Sequence, residues 1–142
     1  MKIQPKRYPA SRVLLGAFAL AAVSVYSYQV QAASSQPPIP RGAAMKSWQE
    51  NGRDGRYLLQ VIKGDAPKSH KPVIGTVASD TDCDADAEGL SHCHNIIKLP
   101  NGSEFTVIDT HNMHQNRCLG AGDKLSLTGI SGPWVMGTLS SK

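Results

Sequence analysis

Short β-branched segments separated by turn residues dominate the chain after residue 72. Such segments, with a lone glycine inside the first, are typical of a small all-β barrel or sandwich. A glycine-kinked strand, a long loop, a hairpin, a second long connection and two final strands follow the order of a five-stranded OB barrel. We therefore predict an all-β, OB-like barrel. The expected strands cover residues 73–77, 95–99, 104–110, 123–130 and 134–139.

The start of the chain has the pattern of an export signal. Residues 1–32 contain basic residues, then an apolar run over residues 13–25, then small residues, which is the order of a secretory signal peptide. The apolar run falls short of the roughly 20 residues that a membrane-spanning helix needs. We therefore expect cleavage near Ala32 or Ala33 rather than retention as an anchor.

Two further segments are expected after the leader. Residues 33–42 are rich in Pro, Ser and Gly, a composition that predicts a flexible tether. The barrel domain is expected over residues 43–142. Residues 43–50 have a composition that favours a helix, whereas residues 56–62 form a short apolar run that suits either a strand or two helical turns.

The charge balance depends on the leader. The chain has 15 Lys and Arg against 11 Asp and Glu, but four of the basic residues precede residue 13, which leaves 11 against 11 after cleavage. A neutral protein lacks the basic surface of a nucleic-acid binder, and few aromatic residues are available for base stacking. We expect a periplasmic or secreted protein with no nucleic-acid partner and no stable membrane insertion.

Four of the five histidines and two of the three cysteines lie between residues 92 and 118. Imidazole and thioether groups are ligands for copper and zinc, and a His-x-His segment followed by a second histidine cluster fits either metal. The standard zinc-finger, HExxH and CxxCH spacings are absent from the sequence. The alternative is that His92 and His94 form an exposed pair at the barrel rim, while His111 and His114 bond the backbone of the polar loop that follows. The predicted ligands are His92, His94 and His111, with Asp109, Met113 and His114 as secondary candidates.

The turn over residues 99–103 (LPNGS) decides whether the histidines share a face. Its proline and glycine favour a three-residue loop, in which the numbers of opposed residues sum to 202. That register keeps one face apolar but separates His92 and His94 from His111. A two-residue Asn-Gly loop gives a sum of 203 and brings the three histidines and Asp109 together, at the expense of the apolar face. We favour the first register and keep the second as an alternative.

Three cysteines in an oxidising compartment predict one disulfide and one remaining thiol. A bond between Cys83 and Cys93 would tether the polar loop that enters the hairpin, whereas a bond between Cys93 and Cys118 would tether the loop that leaves it. We favour a disulfide between Cys83 and Cys93, which would stabilise the folded protein by about 2–3 kcal/mol. Thiolate ligation of a metal is ranked lower because oxidation removes the ligand.

Acidic residues alternate through residues 80–89, with a spacing similar to that of a calcium loop. If Asp84 is position 1, Gly89 falls at the glycine position. Position 12 is then Asn95 rather than the bidentate glutamate that such loops use. A solvated acidic loop is therefore expected, with calcium binding as a less favoured alternative.

Signals for catalysis are weak. The serines lack a nucleophile-elbow context, and Glu104 and Asp109 lie five residues apart on one strand and therefore on opposite faces. We predict an exported small binding protein with a copper or zinc site rather than an enzyme. The alternative is a metal-free binding or scaffold module that docks a protein or a glycan.

Overall fold

The computed structural model describes residues 34–140, so the expected leader over residues 1–32 lies outside the described residues. Six antiparallel strands close into a barrel in the order β1–β4–β3–β2–β5–β6. This confirms the prediction of a small all-β barrel. The strands are β1 (Arg56–Gly64), β2 (Val73–Thr81), β3 (Ser91–Lys98), β4 (Glu104–His111), β5 (Lys124–Gly129) and β6 (Trp134–Leu139).

The sixth strand is β1, the segment for which sequence periodicity allowed either a strand or a helix. It pairs antiparallel with β4 on one side and with β6 on the other, so it closes the barrel between them. The helix expected over residues 43–50 is reduced to a 3-10 turn, Trp48–Glu50. Gly52, with φ 90°, separates this turn from a second 3-10 turn, Arg53–Gly55, in a left-handed conformation that glycine adopts without steric cost.

The β3–β4 hairpin has the register that the three-residue loop predicts. Ser91 pairs with His111 and Lys98 with Glu104, so opposed residues sum to 202. The turn is closed by the amide of Leu99, which donates to the Ser103 carbonyl at 2.9 Å. The alternative register with a sum of 203 is therefore wrong.

A bulge in β2 changes which side chains face the interior. Val77 pairs with Ile97, but the register shifts by one residue before Ser79, and Asp80 then pairs with Asn95. Because side chains alternate between the two faces of a strand, one extra residue exchanges the faces beyond it. The bulge therefore directs Asp80 to the inner face, beside the fully buried Asn95.

Apolar packing occurs on both sides of the barrel wall. The inner cluster is formed by residues from all six strands and includes Tyr57, Phe105 and Leu127. An outer cluster joins Leu58 and Leu90 to Trp48 from the N-terminal segment. These clusters position the strands that carry the polar residues described below.

The segment that the sequence predicts as a tether makes specific contacts with the domain. The compact unit that contains the barrel begins at Ser35. The Trp48 indole donates to the Pro37 carbonyl at 3.0 Å, and Gln36 donates a side-chain hydrogen bond to Asp86. Within residues 34–140, no helix has the length and apolar character needed to cross a bilayer.

Candidate functional site

The inner-facing side chains at the open end of the β3–β4 hairpin are polar. Asn95, Asp109 and His111 are all fully buried there, together with Cys93. Cys93 and Asp109 are directly opposed in the hairpin, so their side chains are neighbours on the inner face. We refer to these four residues as the polar end of the barrel.

Three sulfur atoms and one carboxylate meet beside the polar end. Cys83 and Cys93 form the disulfide favoured from the sequence, and Cys118 keeps a free thiol. Ligand atoms of Asp80 and of all three cysteines lie within 4.8 Å of one another. Cys93 is buried and the other three are partly exposed. We refer to Asp80, Cys83, Cys93 and Cys118 as the sulfur cluster.

Different parts of the chain contribute these four residues. The β2 bulge directs Asp80 inward, where its Oδ1 accepts a hydrogen bond from Asn95 Nδ2 at 2.9 Å. Cys83 lies two residues after the end of β2, and its Sγ is 3.4 Å from the same Asp80 oxygen. Cys93 is held by β3. The cluster therefore combines a rigid strand position with residues that lie at a strand end and in loops.

Cys118 lies in the connection between β4 and β5, and the residue before it, Arg117, bonds to Tyr57 of β1 and to Asp123 at the end of the connection. The Tyr57 hydroxyl donates to the Arg117 carbonyl at 2.7 Å, and the Arg117 guanidinium donates to Asp123 at 2.8 Å. Burial, together with the nearby Asp109 carboxylate, raises the pKa of Tyr57 to about 12, so its hydroxyl keeps its proton and remains a donor. These contacts position Cys118 next to the disulfide.

The electrostatic environment of the sulfur cluster disfavours negative charge. Burial raises the pKa of the Cys118 thiol, and the carboxylates of Asp80 and Asp109 raise it further. The thiol therefore stays protonated at neutral pH in the absence of a compensating cation. A metal ion would supply the positive charge that favours the thiolate.

Asp109 and His111 form a buried ionisable pair at the polar end. Asp109 Oδ2 lies 3.1 Å from His111 Nδ1, but neither atom makes a hydrogen bond of good geometry within the described residues. Burial raises the pKa of the Asp109 carboxyl. Burial also lowers the pKa of His111, but the adjacent Asp109 raises it by more, so the pair retains a proton.

Four buried polar atoms at the polar end lack hydrogen-bond partners among the described residues. They belong to three side chains, and the atoms are Asn95 Oδ1, Asp109 Oδ2, His111 Nδ1 and His111 Nε2. A buried polar group without a partner destabilises a fold by about 1–3 kcal/mol. Unsatisfied buried groups are rare in folded proteins and are concentrated here on the inner face beside the sulfur cluster.

His92 and His94 lie on the outer face of β3 and contact the acidic loop. His92 Nε2 is 2.8 Å from Asp86 Oδ2, and His94 Nδ1 is 3.2 Å from Asp82 Oδ2. The hydrogen bond with His92 is the main cause that lowers the pKa of Asp86 to about 2. These pairs attach the acidic loop to the barrel wall.

The structure therefore divides the predicted metal ligands. His92 and His94 share the outer face, whereas His111 and Asp109 are buried on the inner face, because opposed residues sum to 202. A single ion bound by all three histidines needs them on one face of the hairpin, and the observed register does not place them there. Met113 and His114 are exposed in the β4–β5 connection. Metal binding by any of these residues stays a prediction.

The acidic loop is organised by bonds within itself. Asp86 Oδ1 accepts the backbone amides of Glu88 and Leu90 at 2.8 and 3.0 Å. Asn95, which falls at position 12 of the calcium-loop alignment, lies in the barrel interior. The loop arrangement is thus that of a turn held against β3.

Sequence reasoning missed Asp80 and ranked the cysteines below the histidines as ligands. The favoured register already placed Cys93 opposite Asp109, so one signal for the inner site was present. The β2 bulge and the path of the β4–β5 connection carry no comparable signal in the sequence. No protein-family model, no curated protein and no solved structure matches this chain.

Proposed function

We propose that this protein is a small exported binding protein that holds copper or zinc at the sulfur cluster when its disulfide is reduced. The observation that carries the proposal is the convergence of the Asp80, Cys83, Cys93 and Cys118 ligand atoms within 4.8 Å. Thiolates are the side chains that select Cu(I) and zinc. This ligand set replaces the histidine set predicted from the sequence.

The donor number and spacing support a four-coordinate ion. Zinc binds thiolates and carboxylates at about 2.0–2.3 Å, so ligands in a tetrahedron lie roughly 3.3–3.8 Å apart. To surround zinc, the sulfur cluster has to contract by about 1 Å at its widest, and the Cys83 and Cys93 sulfurs have to move apart once their bond is reduced. Cys83 and Cys118 lie outside the regular strands and can supply that movement, while Cys93 stays in β3.

Binding in this proposal depends on the redox state. In the disulfide, Cys83 and Cys93 offer no thiolate. Reduction by two electrons and two protons yields two thiols, and metal binding then releases their protons. The protein would therefore take up metal in a reducing environment and lose capacity on oxidation.

A titration of the reduced protein tests the proposal. We expect one equivalent of zinc to bind after anaerobic reduction, and Co²⁺ in its place to give sulfur-to-cobalt charge-transfer absorption. The oxidised protein should bind at least tenfold more weakly. Cys118→Ser and Asp80→Asn should each weaken binding of the reduced protein by at least about 10-fold, because even changes to residues that only support the ligands cost about 10- to 100-fold.

Two further variants locate the site. His70→Ala is the matched control, because this histidine is exposed and lies outside both the sulfur cluster and the polar end. Affinity that is unchanged in Cys118→Ser but lost in His92→Gln would move the site to the outer histidines and contradict the proposal. Absence of binding in both redox states would favour the metal-free docking module instead.

A further inference from the structure

A free thiol next to a disulfide can do chemistry that needs no metal. We infer that Cys118 exchanges with the Cys83–Cys93 disulfide, so that the protein interconverts with a Cys93–Cys118 form in which Cys83 carries the free thiol. The geometric basis is that all three sulfur atoms lie within 4.8 Å of one another. The inference concerns the oxidised protein and goes beyond the proposed metal binding.

The exchange balances without an external oxidant or reductant. Cys118 gives its proton to solvent, and the resulting thiolate attacks the Cys93 sulfur. A bond forms between the Cys118 and Cys93 sulfurs while the bond between Cys93 and Cys83 breaks. The electron pair leaves on Cys83, which takes a proton from solvent, so the chain keeps one disulfide and one thiol.

Burial determines which sulfur leaves. Cys93 is fully buried in β3 next to Asp109, so a Cys93 thiolate would be poorly solvated and would face a carboxylate. Cys83 is partly exposed in the loop after β2, where water can solvate its thiolate. A better-stabilised thiolate leaves faster. Attack at Cys93 with release of Cys83 is therefore favoured over attack at Cys83 with release of Cys93. Cys93 is therefore the sulfur common to both disulfides.

The consequence is a thiol that changes position. In one form it belongs to Cys118, in the connection tied to the barrel by Tyr57 and Arg117. In the other form it belongs to Cys83, which is partly exposed at the start of the acidic loop. The exchange thus makes the protein able to react with a disulfide substrate through a residue that is blocked in the described form.

Peptide mapping distinguishes the two forms because of where the basic residues lie. Cys83 and Cys93 fall in one tryptic peptide, residues 69–98, whereas Cys118 falls in another, residues 118–124. The described disulfide is therefore internal to one peptide. A Cys93–Cys118 disulfide joins two peptides and has a different mass.

The experiment uses the purified oxidised protein, incubated with a metal chelator at pH 8 and then alkylated with N-ethylmaleimide before digestion. We expect a fraction of molecules in which peptides 69–98 and 118–124 are joined through Cys93 and the alkyl group is on Cys83. Cys118→Ser is the control and should give neither the joined peptides nor alkylated Cys83. Circular dichroism melts confirm that the variants are folded at the assay temperature.

A second variant tests the product directly. Cys83→Ser, treated with oxidised glutathione, should form the Cys93–Cys118 disulfide. Alkylation confined to Cys118 at all times, together with failure of Cys83→Ser to form that bond, would overturn the inference. Joined peptides with the alkyl group on Cys93 would overturn the assigned direction. Because the chelator is present throughout, the outcome is independent of whether the reduced protein binds metal.

Discussion

The two halves of the barrel interior are equally buried and chemically opposite. Near the β3–β4 turn, Ile97 and Phe105 are at most 1% exposed and pack in the apolar cluster. At the other end of the same two strands, Asn95, Asp109 and His111 are 0% exposed and carry polar groups. The change takes place within a few residues along each strand. The degree of burial therefore does not distinguish the apolar part of the interior from the polar part.

The apolar half of the interior stabilises the fold, whereas the polar half adjoins the candidate functional site. The apolar half removes hydrocarbon surface from water, which is the main favourable contribution to folding. The polar half buries groups that lack hydrogen-bond partners and so reduces stability. Local violations of the rules for a stable interior, such as unpaired buried polar groups, are expected at functional sites. The sulfur cluster lies at that end of the barrel.

The largest effect should come from emptying the apolar half. Phe105→Ala is expected to lower the free energy of unfolding by about 3–5 kcal/mol, because the lost ring leaves a cavity in a packed core. Urea denaturation measures the change. Thr106→Ala, on the opposite face of β4, is the matched control and should change stability much less. A loss below about 1 kcal/mol for Phe105→Ala would contradict the assignment of stability to this half.

The second effect tests whether a covalent link supports the polar half. In a Cys118→Ser background, where exchange cannot occur, reduction of the Cys83–Cys93 disulfide should lower stability by about 2–3 kcal/mol. The reason is that the bond restricts the unfolded chain across the loop it closes. Urea denaturation with and without a reducing agent gives the difference. If reduction leaves stability unchanged, the disulfide does not stabilise the polar half. The two halves would then both depend on packing, and the proposed difference between them would be smaller.

The third effect is a pH dependence between pH 6 and pH 9 that the polar end should produce. The pKa values of Asp109 and His111 are both raised in the folded protein. A raised pKa means that protonation favours the folded state, so this stability is present below the unfolded pKa and is lost as pH rises through the folded pKa. For His111 the loss begins above about 6.5, the ordinary value.

We therefore expect the melting temperature to fall between pH 6 and pH 9, by less than the shift that Phe105→Ala causes. Calorimetry in the presence of a chelator measures the slope. Asp109→Asn removes the carboxylate that raises the pKa of His111, so the slope should flatten in that variant. An equally steep slope in Asp109→Asn would mean that other groups cause it.

The part of the fold set by local signals could be predicted from the sequence. The turn over residues 99–103 and the alternating apolar residues around it agreed on one register, and Lys98 is indeed opposite Glu104. The disulfide between Cys83 and Cys93 was favoured because it closes a short polar loop. Residues 56–62 stayed ambiguous, because a short apolar run has the same periodicity in a buried strand as in a helix.

The candidate site could not be predicted because it depends on long-range geometry. Asp80 reaches the interior only through the bulge after Val77, and because residues 79–81 are all polar, no apolar alternation reveals the exchange of faces there. Cys118 follows Arg117, whose carbonyl accepts a hydrogen bond from Tyr57, 60 residues earlier in the chain. The histidines are the most numerous candidate ligands in the sequence, whereas the β3–β4 register determines which of them face inward.

The smallest effect should come from the outer face next to the apolar half. Lys98 Nζ lies 3.2 Å from Glu104 Oε1, and both side chains are about half exposed. Solvent screens such a pair, so Glu104→Gln should lower stability by only about 0.2–1 kcal/mol, and less at high salt. Urea denaturation at two salt concentrations tests this. Because Glu104 adjoins Phe105, a large and salt-dependent loss would show that surface charge, and not the apolar interior, holds this end of the barrel.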